Sequence, residues 1–135
     1  MEKSKGRHSL NLGRLGSNLG VRMSFYQWET KTYKLTIEGA ENPLDGWEQV
    51  IVSVGQNNKE VVRFSTINGG DSDEGIEVEG LDTIYIHLSQ QQTGKFKVGK
   101  ANIQVNVYYT DSERDTTVEA SVQVKNNLHR RVMNG

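Results

Sequence analysis

The chain has no cysteine, a single proline at Pro43, and only three histidines. It also lacks any apolar run of the roughly 20 residues that a membrane-spanning helix needs. Each shortage excludes something. Without cysteine there is no disulfide, no thiolate metal site and no cysteine nucleophile. One proline leaves no polyproline ligand or proline-rich linker. The N-terminus has no apolar secretory core, so no membrane contact is expected. His8, His87 and His129 lie in three separate regions, none at a spacing from serine or carboxylate that suggests a triad. No phosphate-cradling glycine loop follows a strand pattern, and no zinc-ligand spacing occurs. The sequence therefore supplies no catalytic residue, no metal ligand and no cofactor site, and an enzyme is not expected.

What is present is modest in amount but ordered. Hydrophobic residues make up 34% of the 135-residue chain, enough for one domain because they are concentrated rather than scattered. The net charge of -1 conceals an asymmetry. Residues 1–22 carry Lys3, Lys5, Arg7, Arg14 and Arg22 against Glu2 alone, while the remainder is acidic overall. Within 1–22, Leu10, Leu12, Leu15 and Leu19 hint at helical spacing, but Gly6, Gly13, Gly16 and Gly20 interrupt it. Each internal glycine costs a helix about 1 kcal/mol relative to alanine. The segment reads as a basic arm whose leucines suit a docked partner. Nucleic-acid contact by its charges is a weaker option.

From Met23 the pattern has period two, the mark of half-buried strands. Tyr33, Leu35 and Ile37 alternate with polar residues, and Asn42-Pro43 and Asp45-Gly46 mark the next turn. Val50, Val52 and Val54 share a face, and Gln56–Lys59 turns the chain into a hairpin partner bearing Val62 and Phe64. Ile76 and Val78 form a short strand, and Ile84, Ile86 and Leu88 a stronger one. Ser89 to Gly94 reads as a single helical turn, with Ser89 as N-cap and Gly94 as a positive-φ exit. Phe96 and Val98 begin the return. Ala101–Tyr109 alternates throughout, and Val118–Val124 is its hairpin partner.

These signals predict an all-β, antiparallel β-sandwich of about seven strands, with Ig-like or related topology. A barrel is the second architecture compatible with the alternation. The expected layout is a flexible arm at 1–22, the sandwich at 23–128, and a basic tail at 129–135. Tyr85 and Tyr108, with Asn or Gln at 104, 106 and 123, give the strands a polar face suited to partner contact. Trp28 and Trp47 are candidates for a glycan-stacking platform, with a core position as the alternative for Trp47. The acidic loop Asp71-Ser72-Asp73-Glu74 lacks calcium-loop spacing and reads as a solvated turn.

Four short stretches stand out: Tyr33-Lys-Leu-Thr-Ile37, Asn42-Pro43-Leu44-Asp45, Leu88-Ser89-Gln90 with Thr93, Phe96 and Gly99, and Ile103-Gln104-Val105. In these the chain resembles the small β-sandwich structural proteins of tailed phages of Gram-positive bacteria, including the N-terminal domain of baseplate upper proteins. The arm at 1–22 departs from that pattern. The resemblance implies a virion component at a neck, baseplate or fibre attachment, assembled in the host cytoplasm. Its expected partners are other virion proteins and further copies of itself in a homo-oligomer. It brings no catalytic residues. A carbohydrate-binding β-sandwich module is the alternative function.

Overall fold

A computed structural model describes residues 11–16, 23–39, 41–110 and 114–128. In chain order the strands are β1 (Asn11–Gly16), β2 (Ser24–Tyr26), β3 (Lys31–Glu38), β4 (Trp47–Gln56) and β5 (Lys59–Ile67). Then come β6 (Ile76–Glu79), β7 (Thr83–Leu88), the one-turn helix α1 (Gln90–Thr93), β8 (Gly99–Tyr109), β9 (Arg114–Val118) and β10 (Ala120–Lys125). The alternating positions do what their period requires. Tyr33, Leu35 and Ile37 of β3, Val50, Val52 and Val54 of β4, and Ile84, Ile86 and Leu88 of β7 all join one buried cluster. Ala101, Ile103, Val105, Val107 and Tyr109 of β8 complete it with Val122 and Val124 of β10.

Five strands pair in the order β2-β10-β8-β4-β5, and three in the order β3-β7-β6. The single core cluster draws side chains from both groups, so the two sheets face each other as a sandwich. This strand order, with β3, β7 and β6 opposite β10, β8, β4 and β5, is that of an immunoglobulin-like domain. The barrel alternative holds on one side only. β1 pairs antiparallel with β3 and parallel with β9, and β9 pairs with β8, so hydrogen bonding passes from sheet to sheet there. The expected single partner of β8 is in fact two strands, with the break at Glu119.

Turn chemistry sets the registers. Asn57 and Asn58 both have positive φ, 55° and 63°, so the β4–β5 hairpin closes on a two-residue turn that matches strand twist. Gln56, beside that turn, points inward. Its side chain donates to Lys97 O at 2.7 Å and accepts from Lys97 N at 2.9 Å. Leu44 is fully buried, its N–H donating to Leu81 O, and the buried Tyr109 hydroxyl donates to Pro43 O at 2.7 Å. Val98 does not begin the return strand. It is 56% exposed, and pairing starts at Gly99, whose φ of 134° breaks the line of the chain.

The chain crosses between sheets at Gln27–Thr30, and side-chain hydrogen bonds from several elements tie this crossing down. Ser89 caps α1 as expected, and Gln92 returns the bond to complete a capping box. That places Thr93, fully buried, against Glu29. The Thr93 hydroxyl donates to Glu29 O at 2.8 Å and accepts from Glu29 N at 3.1 Å. Gln27 Nε2 donates to Phe96 O, and the Tyr33 hydroxyl donates to Ser24 O at 2.6 Å, tying β3 to β2 across the crossing.

Two outcomes follow. Thr93→Val keeps the shape but loses both bonds, and is expected to lower stability by about 1–3 kcal/mol in urea unfolding, while Thr93→Ser retains most of it. Burial pushes the Tyr33 phenol well above its ordinary value. An unfolded tyrosine ionises near pH 10, so the stability held by neutral Tyr33 is complete below that pH and is lost as pH rises beyond it. Urea titrations at about pH 7 and pH 11 should show a smaller alkaline loss in Tyr33→Phe than in the parent.

Candidate functional site

Alternation that buries the valines of β4 and β8 turns the intervening residues outward. On β4 these are Gln49, Ile51, Ser53 and Gly55, and on the neighbouring β8 they are Asn102, Gln104, Asn106 and Tyr108. The register sets Ile51 opposite Asn106, Ser53 opposite Gln104, and Gly55 opposite Asn102. All eight are half-buried and none is charged, in a chain that is 24% charged. Charge begins at the margin. Arg63 and Glu60 on β5 pair at 3.4 Å, and Ser53 Oγ donates to Glu60 Oε2 at 2.6 Å. On the other margin the Arg114 guanidinium stands 6.0 Å from the Tyr108 ring centroid.

This face carries two shallow depressions. One, of about 410 Å³, is lined by Glu48, Gln49, Ile67, Tyr108 and Tyr109. Ile67 is 41% exposed there, and Gln49 Nε2 donates to Ser65 Oγ beside it. The second is polar, with Gly55 in its lining. A Cβ on Gly55 would stand 2.7 Å from Lys59 O, so glycine is what lets the chain close up at this bulge.

The opposite outer face, on β3, β7 and β6, has a different character. Its outward positions include Lys34, Glu38, Glu77, Glu79, Tyr85 and His87. A hydrogen bond to Glu79 holds the Tyr85 phenol above its ordinary value, helped by partial desolvation and by the Glu79 and Glu77 charges. Thr32 Oγ1 and His87 Nδ1 lie 2.6 Å apart, so His87 is a sheet-face residue with a local partner. Tyr85 and Tyr108, expected to serve one partner face, thus lie on opposite sides of the sandwich.

The remaining candidates are also separated. Leu12 and Leu15 fall in β1, whose backbone alone is described, and Leu10 and Leu19 lie outside the described residues, as do Lys3, Lys5, Arg7 and the tail at 129–135. Trp28 belongs to the crossing turn near the Gly99 end of β8, whereas Trp47 pairs with Tyr109 at its far end. Eleven residues of β8 separate the two ends, about 30 Å at strand rise, so the tryptophans do not form one platform. Trp47 is half-buried against the core. Trp28 has φ 65°, and its ring lies on Gly94 so closely that a Cβ there would stand 2.4 Å from it. Gly94 is accordingly not a positive-φ exit. Its φ is -69°, and the absence of a side chain serves the tryptophan.

The acidic loop also has a structural task. Asp73 Oδ2 accepts from Ser65 N, Asp73 N donates to Ser65 O, and Ile67 N donates to Asp71 O. The loop therefore covers the open edge of β5 at its Ser65–Ile67 end. Among the described residues no three His, Cys, Asp or Glu side chains gather as metal ligands, and no helix is long and apolar enough to cross a membrane.

No protein-family model and no curated protein sequence matches the chain. Among solved structures it is similar to murine CRIg. The TM-score is 0.42 at 12% identity, over 84% of this chain and 96% of that one.

Sequence reasoning singled out Gln104, Asn106 and Tyr108 as outward residues but not Gln49, Ile51 and Ile67, which share their face. The signal was present as the uncharged alternate positions of Gln49–Gly55; what was hidden was that β4 lies beside β8. For the Trp28 contact, Gly94→Ala is expected to destabilise by about 1–3 kcal/mol, read by thermal and urea unfolding. The same change made in a Trp28→Ala background should cost far less, a coupling that a double-mutant cycle measures.

Proposed function

We propose that this chain is a non-catalytic contact module that works through protein–protein contact at the outer face of its five-stranded sheet. We further propose that the assembly it serves is a tailed-phage particle, at a neck, baseplate or fibre attachment put together in the host cytoplasm. The observation that carries the contact reading is the charge-free centre of that face, with Tyr108 and Ile67 at one end and charges at its margin. The cores of protein interfaces are depleted in charge and enriched in aromatic residues, with a polar rim. A rigid sandwich holds such a patch flat at little entropic cost on binding.

The particle reading is supported by the resemblance in Asn42-Pro43-Leu44-Asp45 and in Leu88-Ser89-Gln90 with Thr93, Phe96 and Gly99. These residues are turn, cap and core positions here: Leu44, Leu88, Thr93 and Phe96 are buried, and Ser89 caps α1. They support a shared way of building the sandwich, and the partner would be read by the outer face.

The test is co-expression with the structural proteins encoded beside its gene, followed by co-purification. Tyr108→Ala and Ile67→Asp should each weaken capture about tenfold or more, as truncation of an interface anchor does, with unchanged thermal unfolding. Full capture by both variants would place the contact elsewhere, and neighbouring genes unrelated to particles would remove the phage reading.

A further inference from the structure

We propose that the occupant of the charge-free face is a second copy of this chain, docked face to face about a two-fold axis over Ile51. The proposal rests on the reading of that face as a contact surface and names its partner. A two-fold interface must be complementary to itself, because the same patch is presented by both copies. Charge is the first obstacle to that, and here the two outer faces differ. The face of β3, β7 and β6 carries Glu38, Glu77 and Glu79 among its outward residues. Two such faces brought together would set carboxylates against carboxylates. The eight central outward positions, Gln49 to Gly55 on β4 and Asn102 to Tyr108 on β8, set no charge against its like, and Lys100 stands beyond them at the end of β8.

Their chemistry also suits a copy of themselves. Gln49, Asn102, Gln104 and Asn106 end in amides, each of which both donates and accepts hydrogen bonds, and Ser53, whose hydrogen goes to Glu60, can still accept. A surface of one-way donors cannot pair with itself; a surface of amides can. Ile51 sits mid-strand on β4, the strand flanked by β5 and β8, with Asn106 and Ser65 as its cross-strand neighbours. It is the apolar residue at the middle of the amide field. An axis over it lets Ile51 of each copy meet its counterpart, with the amides around them.

Patch size sets the strength. The two central strands, about 4.8 Å apart over the seven residues from Asn102 to Tyr108, and their flanking strands make a face roughly 15–20 Å by 20 Å, of which only the centre is free of charge. At about 300–400 Å² this is no more than half of the ~800 Å² per partner of a standard stable interface. Self-association is therefore weak and concentration-dependent, and becomes substantial where a larger assembly holds copies close together.

Sedimentation equilibrium of the whole chain, from about 1 µM to about 1 mM, reads the proposal directly. The expected result is a reversible monomer–dimer equilibrium. Ile51→Arg and Ile51→Glu, each placing like charges across the axis, should weaken it about tenfold or more while thermal unfolding and circular dichroism stay unchanged. Mixing the two variants should restore the dimer, because Arg then meets Glu. A chain that stays monomeric throughout overturns the proposal, as does a dimer indifferent to Ile51 or one that mixing fails to restore. Loss of capture by Tyr108→Ala and Ile67→Asp in that monomeric chain would leave the contact face standing with a different partner. Full capture by both would fell the contact reading as well.

Discussion

The hydroxyl of Thr93 is fully buried and exchanges two hydrogen bonds with the backbone of Glu29. That pairing fixes where the chain passes from one sheet to the other. β2 belongs to the five-stranded sheet and β3 to the three-stranded one, with only Gln27–Thr30 between them. A turn so short has little backbone of its own to satisfy, and neighbours supply the partners: Phe96 O, Lys125 O and the Asn127 side chain all bond to Gln27. Trp28 takes a left-handed conformation and lays its ring on Gly94, and Phe25 meets Phe96 edge-on at 5.2 Å just inside. The helical turn α1 exists to present Thr93 to this knot.

Because the crossing is rigid, the outer faces of the two sheets are free to differ. Apart from Gln56, the inward positions of β4, β7 and β8 are aliphatic or aromatic, and the core needs nothing from the outward ones. One outer face has become acidic with a tyrosine held by Glu79; the other has become a field of amides with Ile51 in the middle. Stability is thus carried by one set of residues, and the recognition proposed above falls to the alternate residues of the same strands.

Much of this was legible in the sequence. Thr83–Leu88 and Ala101–Tyr109 alternate without a break, and a period of two states which residues face inward. It does not state which strands are neighbours, so Tyr85 and Tyr108 looked equivalent although they lie on opposite sides. Val98 looked like part of a strand because it follows Phe96 by two, yet the chain between them is committed to Gln56, whose side chain binds Lys97 on both its N–H and its carbonyl. Gln56 itself looked like a turn residue, since nothing local marks a polar side chain for burial. Gly94 looked like a helix exit because glycine usually is one there; its real constraint is a tryptophan 66 positions earlier. β1 was hidden for a similar reason, its glycine-broken sequence having no period and its partners lying in β3 and β9.

The parallel pairing of β1 with β9 bears on how the domain is made. Arg14 aligns with Val118, so strands about a hundred residues apart must meet before this side of the sandwich is closed. On the ribosome β1 and β3 are made close together and can pair at once, whereas β9 emerges about a hundred residues after β1. The seam between β1 and β9 is therefore the last part of this side to close.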